Sequence, residues 1–196
     1  MSTDHTGLPI AAHVRRLEER LIEAGYTTDA ELDDTIATYL AEASPVNGAR
    51  IVARAWVDPG FRRRLLADAN AALPELGLSM GNGLQEQRLR VVENSTDHHN
   101  VLVCTLCSCY PISLLGPSPS WYKHEAYRSR VVREPRAVLA EFGLELPEHV
   151  DITVRDTSAE TRYMVLPVRP EGTRELDEEQ LAALVTREGL IGTAAV

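Results

Sequence analysis

The chain has 196 residues, 44% of them hydrophobic and 25% charged, which supports one folded core plus an extended segment. A formal charge of -9 at pH 7 excludes nucleic acid and anionic membrane surfaces as partners by simple repulsion. Residues 1–7 are polar, and no stretch approaches the roughly 18 uninterrupted apolar residues of a membrane span, so a cytoplasmic protein is expected.

The spacing of Ile10, Val14, Leu17, Leu21 and Ile22 predicts an amphipathic helix over 9–25, with Gly25 as its stop. Thr28 and Glu31 form a capping box that opens a second helix running through Leu40. Ser44-Pro45 opens a third, which ends at Asp58-Pro59-Gly60, and a fourth runs to about Leu73. The narrow apolar stripes of these helices suit packing on one another, on the rest of the chain or on a partner. From Gln87 the texture changes. Leu89-Arg90-Val91-Val92 and Val101-Leu102-Val103 read as short strands separated by the turn residues Asn94-Ser95-Thr96-Asp97. Pro135 starts a helix that ends at Gly143, 150–154 and 163–168 read as strands, and Asp177 with Gln180 caps a last helix. The expected fold class is α+β: a helical N-terminal arm over 1–80 and an α/β domain over 81–196, with the boundary near Gly81-Asn82-Gly83.

All the cysteines, Cys104, Cys107 and Cys109, crowd together just after the second strand, so no disulfide framework is expected. Buried cysteines acting as small hydrophobes have no reason to cluster. A zinc site would recruit a fourth ligand such as His98, His99 or His124. A redox Cys-x-x-Cys would not need Cys109. A further reading follows from Cys107-Ser108-Cys109, where two thiolates flank two backbone amides. If the Ser108 and Cys109 amides lose their protons, sulfur, nitrogen, nitrogen and sulfur can bind one metal in a plane. Cys104 then caps one axial position and the opposite position stays open for water or substrate. Only a strongly polarising ion holds deprotonated amides, which favours trivalent cobalt or iron over zinc. Burying so much negative charge requires cations, for which Arg128, Arg130 and Arg133 are candidates.

The run Val103-Cys104-Thr105-Leu106-Cys107-Ser108-Cys109-Tyr110 closely resembles the α subunit of nitrile hydratases. The same resemblance covers Trp121-Tyr122-Lys123, the stretch from Tyr127-Arg128-Ser129-Arg130 to Pro135-Arg136, and Arg162-Tyr163-Met164-Val165-Leu166-Pro167. It extends from about Val92 to the C-terminus, with the helical arm agreeing more loosely. The resemblance implies a helical arm that embraces a β-type subunit and a layered α/β/β/α domain that holds the metal. It makes Cys104, Cys107 and Cys109 the sulfur ligands and the Ser108 and Cys109 amides the nitrogen ligands. Cys107 becomes a sulfinate and Cys109 a sulfenate, in keeping with the oxidation ladder of permanently thiolate-like sulfur. Thr105 and Tyr110 match the cobalt subclass, so Co(III) is expected, with Fe(III) the alternative.

The implied reaction is hydration of a nitrile to the amide, with Cys109, Ser108 and Gln85 as catalytic residues. Cys109 supplies its sulfenate oxygen or activates water, Ser108 hydrogen-bonds in the pocket, and Gln85 orients water. Asp156 and Glu160 resemble a family carboxylate pair that acts from outside the ligand set. Where many members carry Trp and Pro after Tyr-Pro, this chain has Ile112-Ser113. That smaller wall implies a bulky, heteroaromatic nitrile, and the loop and short chain resemble the toyocamycin-hydrating, three-subunit branch, whose partners are β-type and γ-type subunits. The γ subunit of thiocyanate hydrolase carries nearly the same cysteine run, but tends to have a basic residue where this chain has Ile112. A cobalt carrier that only passes metal on is the reading from another class.

Overall fold

A computed structural model describes residues 10–80, 87–107 and 109–196. Gln85 and Ser108 lie outside these residues. The chain forms two compact units, Met1–Ala41 and Glu42–Val196. No described helix is long and apolar enough to cross a membrane.

The first unit holds α1 (Ile10–Glu23) and most of α2 (Asp29–Glu42). At Gly25, where φ is +72°, the Gly25 and Tyr26 amides donate back to the Ile22 and Leu21 carbonyls, closing α1 as a glycine-terminated helix closes. The predicted capping box is present: the Thr28 amide donates to Glu31 at 2.9 Å and the Glu31 amide to Thr28 Oγ1 at 3.2 Å. α1 buries no residue, and Ile10, Val14 and Leu17 along its apolar stripe are exposed.

The second unit begins with α3 (Pro45–Val57), α4 (Pro59–Ala67) and α5 (Ala69–Ala72). Ser44 and Asp58 cap the first two, each followed by a proline that lacks the amide a first helical turn leaves unpaired. The helix expected to reach Leu73 is interrupted at Asp68. Its extended backbone ends α4, and its carboxylate accepts from the Ala71 amide at 3.2 Å to start α5. β1 (Arg88–Glu93) pairs in parallel with β4 (Thr161–Leu166), and β2 (His98–Val103) in parallel with β3 (Asp151–Asp156). Between β2 and β3 lie α6 (Ile112–Leu115), α7 (Glu125–Val131) and α8 (Pro135–Glu141); α9 (Glu178–Leu184) and α10 (Arg187–Ile191) follow β4.

One core joins these elements. Ile51, Phe61, Leu65, Leu102, Leu115, Leu139, Met164 and Leu166 are all buried, each contributing about 1.5–3 kcal/mol relative to exposure. α3 packs on α9 and α6, and α4 and α5 pack on β1. Val103 is the register partner of Asp156, so β2 and β3 finish side by side and the cysteine run leaves the sheet at their shared carboxyl end.

Candidate metal centre

The cysteine run starts deep and turns outward. Cys104 follows buried β2 and is itself buried, Cys109 is half-buried, and Cys107 is exposed. The turn converges all three sulfurs: Cys104 Sγ lies 3.3 Å from Cys107 Sγ, which lies 3.0 Å from Cys109 Sγ. All three fall within 4.8 Å of one another. The Cys107 amide donates to Cys104 Sγ at 3.3 Å.

Neighbouring elements hold this turn at several points. The Thr105 amide and hydroxyl donate to the two carboxylate oxygens of Asp156, at 3.0 and 2.5 Å. The next residue continues the clamp, since the Thr157 amide donates to the Val103 carbonyl at 2.7 Å and its hydroxyl to the Cys109 carbonyl at 2.9 Å. Tyr122 also donates to the Cys109 carbonyl, at 3.1 Å, and Tyr127 to the Leu102 carbonyl, at 2.6 Å. Behind them Tyr110, Trp121, Tyr122, Tyr127 and Phe142 pack largely edge-to-face, with ring centroids 4.7–6.1 Å apart. Burial pushes the phenols of Tyr110, Tyr122 and Tyr127 well above their ordinary range, so all three stay protonated at physiological pH; Tyr122 and Tyr127 donate as described, while the buried Tyr110 hydroxyl has no partner among the described residues.

The electrostatics favour the protonated form of Cys109 until a cation arrives. The Cys109 thiol is pushed up to about 12, chiefly by burial and then by its hydrogen bond with Cys107, while the nearby positive charge of Arg162 opposes the rise. Arg162 is buried and donates to the Ser158 carbonyl. Of the arginines the sequence singles out, Arg128 donates to the Cys107 carbonyl at 3.0 Å, whereas Arg130 is engaged by Glu134 and Glu141, each at 2.6 Å. Arg133 is exposed. Among the described residues, the buried Nε groups of Arg128 and Arg162 have no acceptor. Sequence reasoning did not identify Arg162, Thr157 or Tyr122 as supports; Thr157, directly after the singled-out Asp156, was within reach of it.

The donor set suits a thiophilic metal ion. Three convergent sulfurs match a soft or borderline cation, and among the described residues no imidazole or carboxylate joins them. His99 is committed elsewhere, between the Gly192 carbonyl at 2.7 Å and the Asn94 side-chain amide at 3.1 Å. The chain therefore does not assemble the fourth ligand a closed zinc site needs from the described histidines. Nor does the pair Cys104 and Cys107 open a helix, where a redox Cys-x-x-Cys sits. The outer side of the turn is open, with Leu106 93% exposed at its tip. Asp156 reaches the turn, but Glu160 meets its neighbours through its backbone, by an amide to Ser158 Oγ and a carbonyl that accepts from Arg88. Of Ile112 and Ser113 only Ile112 keeps some exposure; Ser113 is buried and its carbonyl accepts from Asn47 at 2.9 Å.

Known proteins are similar to nearly the whole chain. Residues 9–194 match the family described as nitrile hydratase, alpha chain. A low-molecular weight cobalt-containing nitrile hydratase subunit alpha of Rhodococcus rhodochrous is 51% identical over 185 residues, covering 94% of this chain and 88% of that one. The thiocyanate hydrolase subunit gamma of Thiobacillus thioparus is 46% identical over 164 residues, covering 80% and 68% respectively. Among solved structures, a double mutant of the Fe-type nitrile hydratase from Comamonas testosteroni Ni1 superposes with a TM-score of 0.86 at 43% identity, covering 98% of this chain and 92% of its own. The expected α+β architecture agrees with these likenesses, and with the family match spanning all but the ends of the sequence, the chain belongs to the nitrile hydratase α-chain family.

Proposed function

We propose that the chain is the metal-carrying subunit of a nitrile hydratase, converting R-C≡N and water to the amide R-C(=O)NH2, and that its metal is low-spin trivalent cobalt. The observation that carries this reading is the convergence of the Cys104, Cys107 and Cys109 sulfurs within 4.8 Å at the open carboxyl end of β2 and β3. Cys104, Cys107, Cys109 and the Ser108 and Cys109 backbone amides would hold the ion. When bound, the ion supplies Lewis acidity that polarises the nitrile toward attack. Cobalt is supported by Thr105 and Tyr110 and by the cobalt named in the Rhodococcus relative; the Fe-type neighbour makes Fe(III) the alternative.

The chain's own groups divide the remaining work. Cys109, oxidised to the sulfenate, presents the attacking oxygen or takes a proton from the attacking water. Ser108 would hydrogen-bond in the pocket and Gln85 would orient that water. Asp156 and Thr157 fix the turn from the β3 side, and Tyr122 and Arg128 from the other. The acceptor-less Nε groups of Arg128 and Arg162 suit a centre whose sulfurs gain oxygens. The exposed Leu106 and Cys107 support completion of the pocket by a β-type subunit, with a γ-type subunit if the enzyme follows the three-subunit, toyocamycin-hydrating pattern. The half-buried, apolar Ile112 supports a bulky neutral heteroaromatic nitrile.

Similarity to the Thiobacillus protein supports a second reading, a thiocyanate hydrolase γ-type subunit. One experiment separates them. The chain is co-expressed with a β-type subunit in cobalt medium and the complex is assayed with an aromatic nitrile and with thiocyanate, alongside elemental analysis and mass spectrometry of the 104–109 peptide. Nitrile turnover with stoichiometric cobalt and oxidised Cys107 and Cys109 is expected. Thiocyanate turnover alone supports the second reading, and loaded cobalt with no turnover in any assembly supports a carrier.

A further inference from the structure

Among the described residues, every arginine of the second unit with a side-chain ion pair is matched to a glutamate: Arg54 to Glu178 at 3.2 Å, Arg62 to Glu93 at 2.5 Å, Arg64 to Glu75 at 2.8 Å, Arg130 to Glu134 and Glu141 at 2.6 Å each, and Arg187 to Glu188 at 3.2 Å. Arg88 and Arg90 depart from that pattern. They alternate along β1 and so project to the same side, about 6.6 Å apart along the strand. Both are exposed, and among the described residues neither guanidinium has a hydrogen bond or an ion pair.

Both arginines line one pocket of about 250 Å³ together with Arg155 of β3, Tyr163 of β4 and Asp68 from the break between α4 and α5. Tyr163 is the register partner of Arg90, which places the phenol beside it. Arg155 uses Nε to donate to Asn100 Oδ1 at 2.9 Å, which fixes the side chain and leaves both terminal NH2 groups to donate elsewhere. Asp68 is the lining carboxylate, and it already accepts from the Ala71 amide as a helix cap. Three arginines and one carboxylate residue thus line the same pocket, on a chain whose formal charge is -9. Such a grouping of like charges favours an anion among its members.

We propose that this pocket binds a small oxyanion of the phosphate class. Guanidinium forks match a tetrahedral oxyanion bidentately, and Tyr163 adds a neutral donor. The volume lies below the roughly 300–1,000 Å³ of pockets that enclose drug-sized ligands, which limits the occupant to an inorganic anion or a compact phosphate ester. A local positive pocket on a chain of net negative charge concentrates such an ion there. The pocket shares no residue with the sulfur cluster, and Arg155 and its neighbour Asp156, which holds Thr105, project to opposite faces of β3.

The test is calorimetric titration of the purified full-length chain with inorganic phosphate, against chloride at matched ionic strength. A saturable one-to-one heat is expected with phosphate only, weakened at least about tenfold in the double variant Arg88→Gln/Arg90→Gln and unchanged in Arg174→Gln, which alters an exposed arginine outside the pocket. Arg90→Lys keeps the charge but loses the planar fork, so several-fold weakening with an unchanged circular dichroism spectrum is expected, and this holds the proposal to account even if the double variant fails to fold. Absence of a saturable phosphate heat, or equal affinity in Arg90→Lys and the parent, overturns the proposal. Repeating the titration on the complex with a β-type subunit distinguishes the sources of anion: retained binding supports a small ligand, whereas loss on assembly assigns the arginines to acidic side chains of the partner and overturns it.

Discussion

Arg128 donates from Nη1 to the carbonyl oxygen of Cys107 at 3.0 Å, and that carbonyl belongs to the peptide whose nitrogen is Ser108's. An amide that loses its proton places much of its negative charge on the oxygen, so a guanidinium there favours the deprotonated form. Arg128→Gln keeps a donor and removes the charge. It is expected to weaken cobalt retention about tenfold, a loss of about 1.4 kcal/mol, measured by competition with a chelator. Arg128→Lys restores most of the retention. Equal retention in all three proteins contradicts the role.

Asp156 ties down the other end of the turn, with one carboxylate oxygen on the Thr105 amide and the other on its hydroxyl. Both bonds are exposed to solvent, which limits their worth to about 1 kcal/mol. Asp156→Asn keeps one acceptor. The expected outcome is a small loss of global stability, read as a lower urea midpoint, with a larger loss of metal retention, because the bonds fix the loop rather than the core. A fall in stability with intact retention would assign Asp156 to the fold alone.

Gly192 shows a constraint of a different kind. Its φ is +87°, and a Cβ there would lie 2.0 Å from the Asn100 carbonyl oxygen. Asn100 is itself a hub, accepting from Arg155 Nε at 2.9 Å and donating to the Glu93 carbonyl at 2.9 Å. Gly192→Ala combines a left-handed backbone with a backbone clash, and is expected to cost about 2–5 kcal/mol of unfolding free energy. Thermal denaturation of the variant checks this; a melting temperature equal to that of the parent would show that the C-terminus shifts without penalty.

The cysteine run was legible because its chemistry is local: ligand types, their spacing and the preceding strand all fall within a few residues. The capping boxes at Thr28 and Asp177 and the prolines at 45, 59 and 135 set helix starts for the same reason. What escaped depends on long-range pairing. Arg162 stands just before the strand expected over 163–168, and only the parallel pairing of β4 with β1 buries it near Cys109. The short helices α6, α7 and α10 run for only 4, 7 and 5 residues, too few for a hydrophobic period to emerge. The break at Asp68 was hidden because an aspartate inside an apolar-periodic stretch can face solvent or cap a new turn, and sequence does not choose.

His99 predicts a pH dependence of stability. With Nε2 donating to the Gly192 carbonyl, Nδ1 is the acceptor for the Asn94 amide, an assignment read from the hydrogen-bond partners. Protonation would bury a charge and turn an acceptor toward a donor. The pKa is lowered from its usual value near 6.5, chiefly by burial and also by His98, with the Gly192 bond opposing. A group depressed in the folded state contributes stability that is complete above its unfolded pKa and lost as pH falls through the folded one. The urea midpoint is therefore expected to hold from pH 8 to about 7 and to decline below about 6.5. His99→Gln should flatten that decline. Asp58, Glu75 and Glu141, whose pKa values are also lowered, act only near and below the carboxylate range and leave this window clear.

The Cys109 thiol is shifted in the opposite direction, upward, and it governs the pH dependence of metal uptake. Burial and the Cys107 hydrogen bond push it up to about 12, so the metal-free chain holds its proton through the neutral range. An incoming cation must displace that proton to gain the thiolate. Apparent affinity is then expected to rise about tenfold per pH unit for each proton released, between pH 7 and 9. Arg162 is the nearby charge that opposes the upward shift, so Arg162→Met should raise the thiol further and move the uptake curve to higher pH while leaving its slope unchanged. Uptake measured by chelator competition across that range, with proton release followed by an indicator dye, gives both quantities. Uptake independent of pH, or an Arg162→Met curve that coincides with the parent's, would show that sulfur protonation at Cys109 does not control loading.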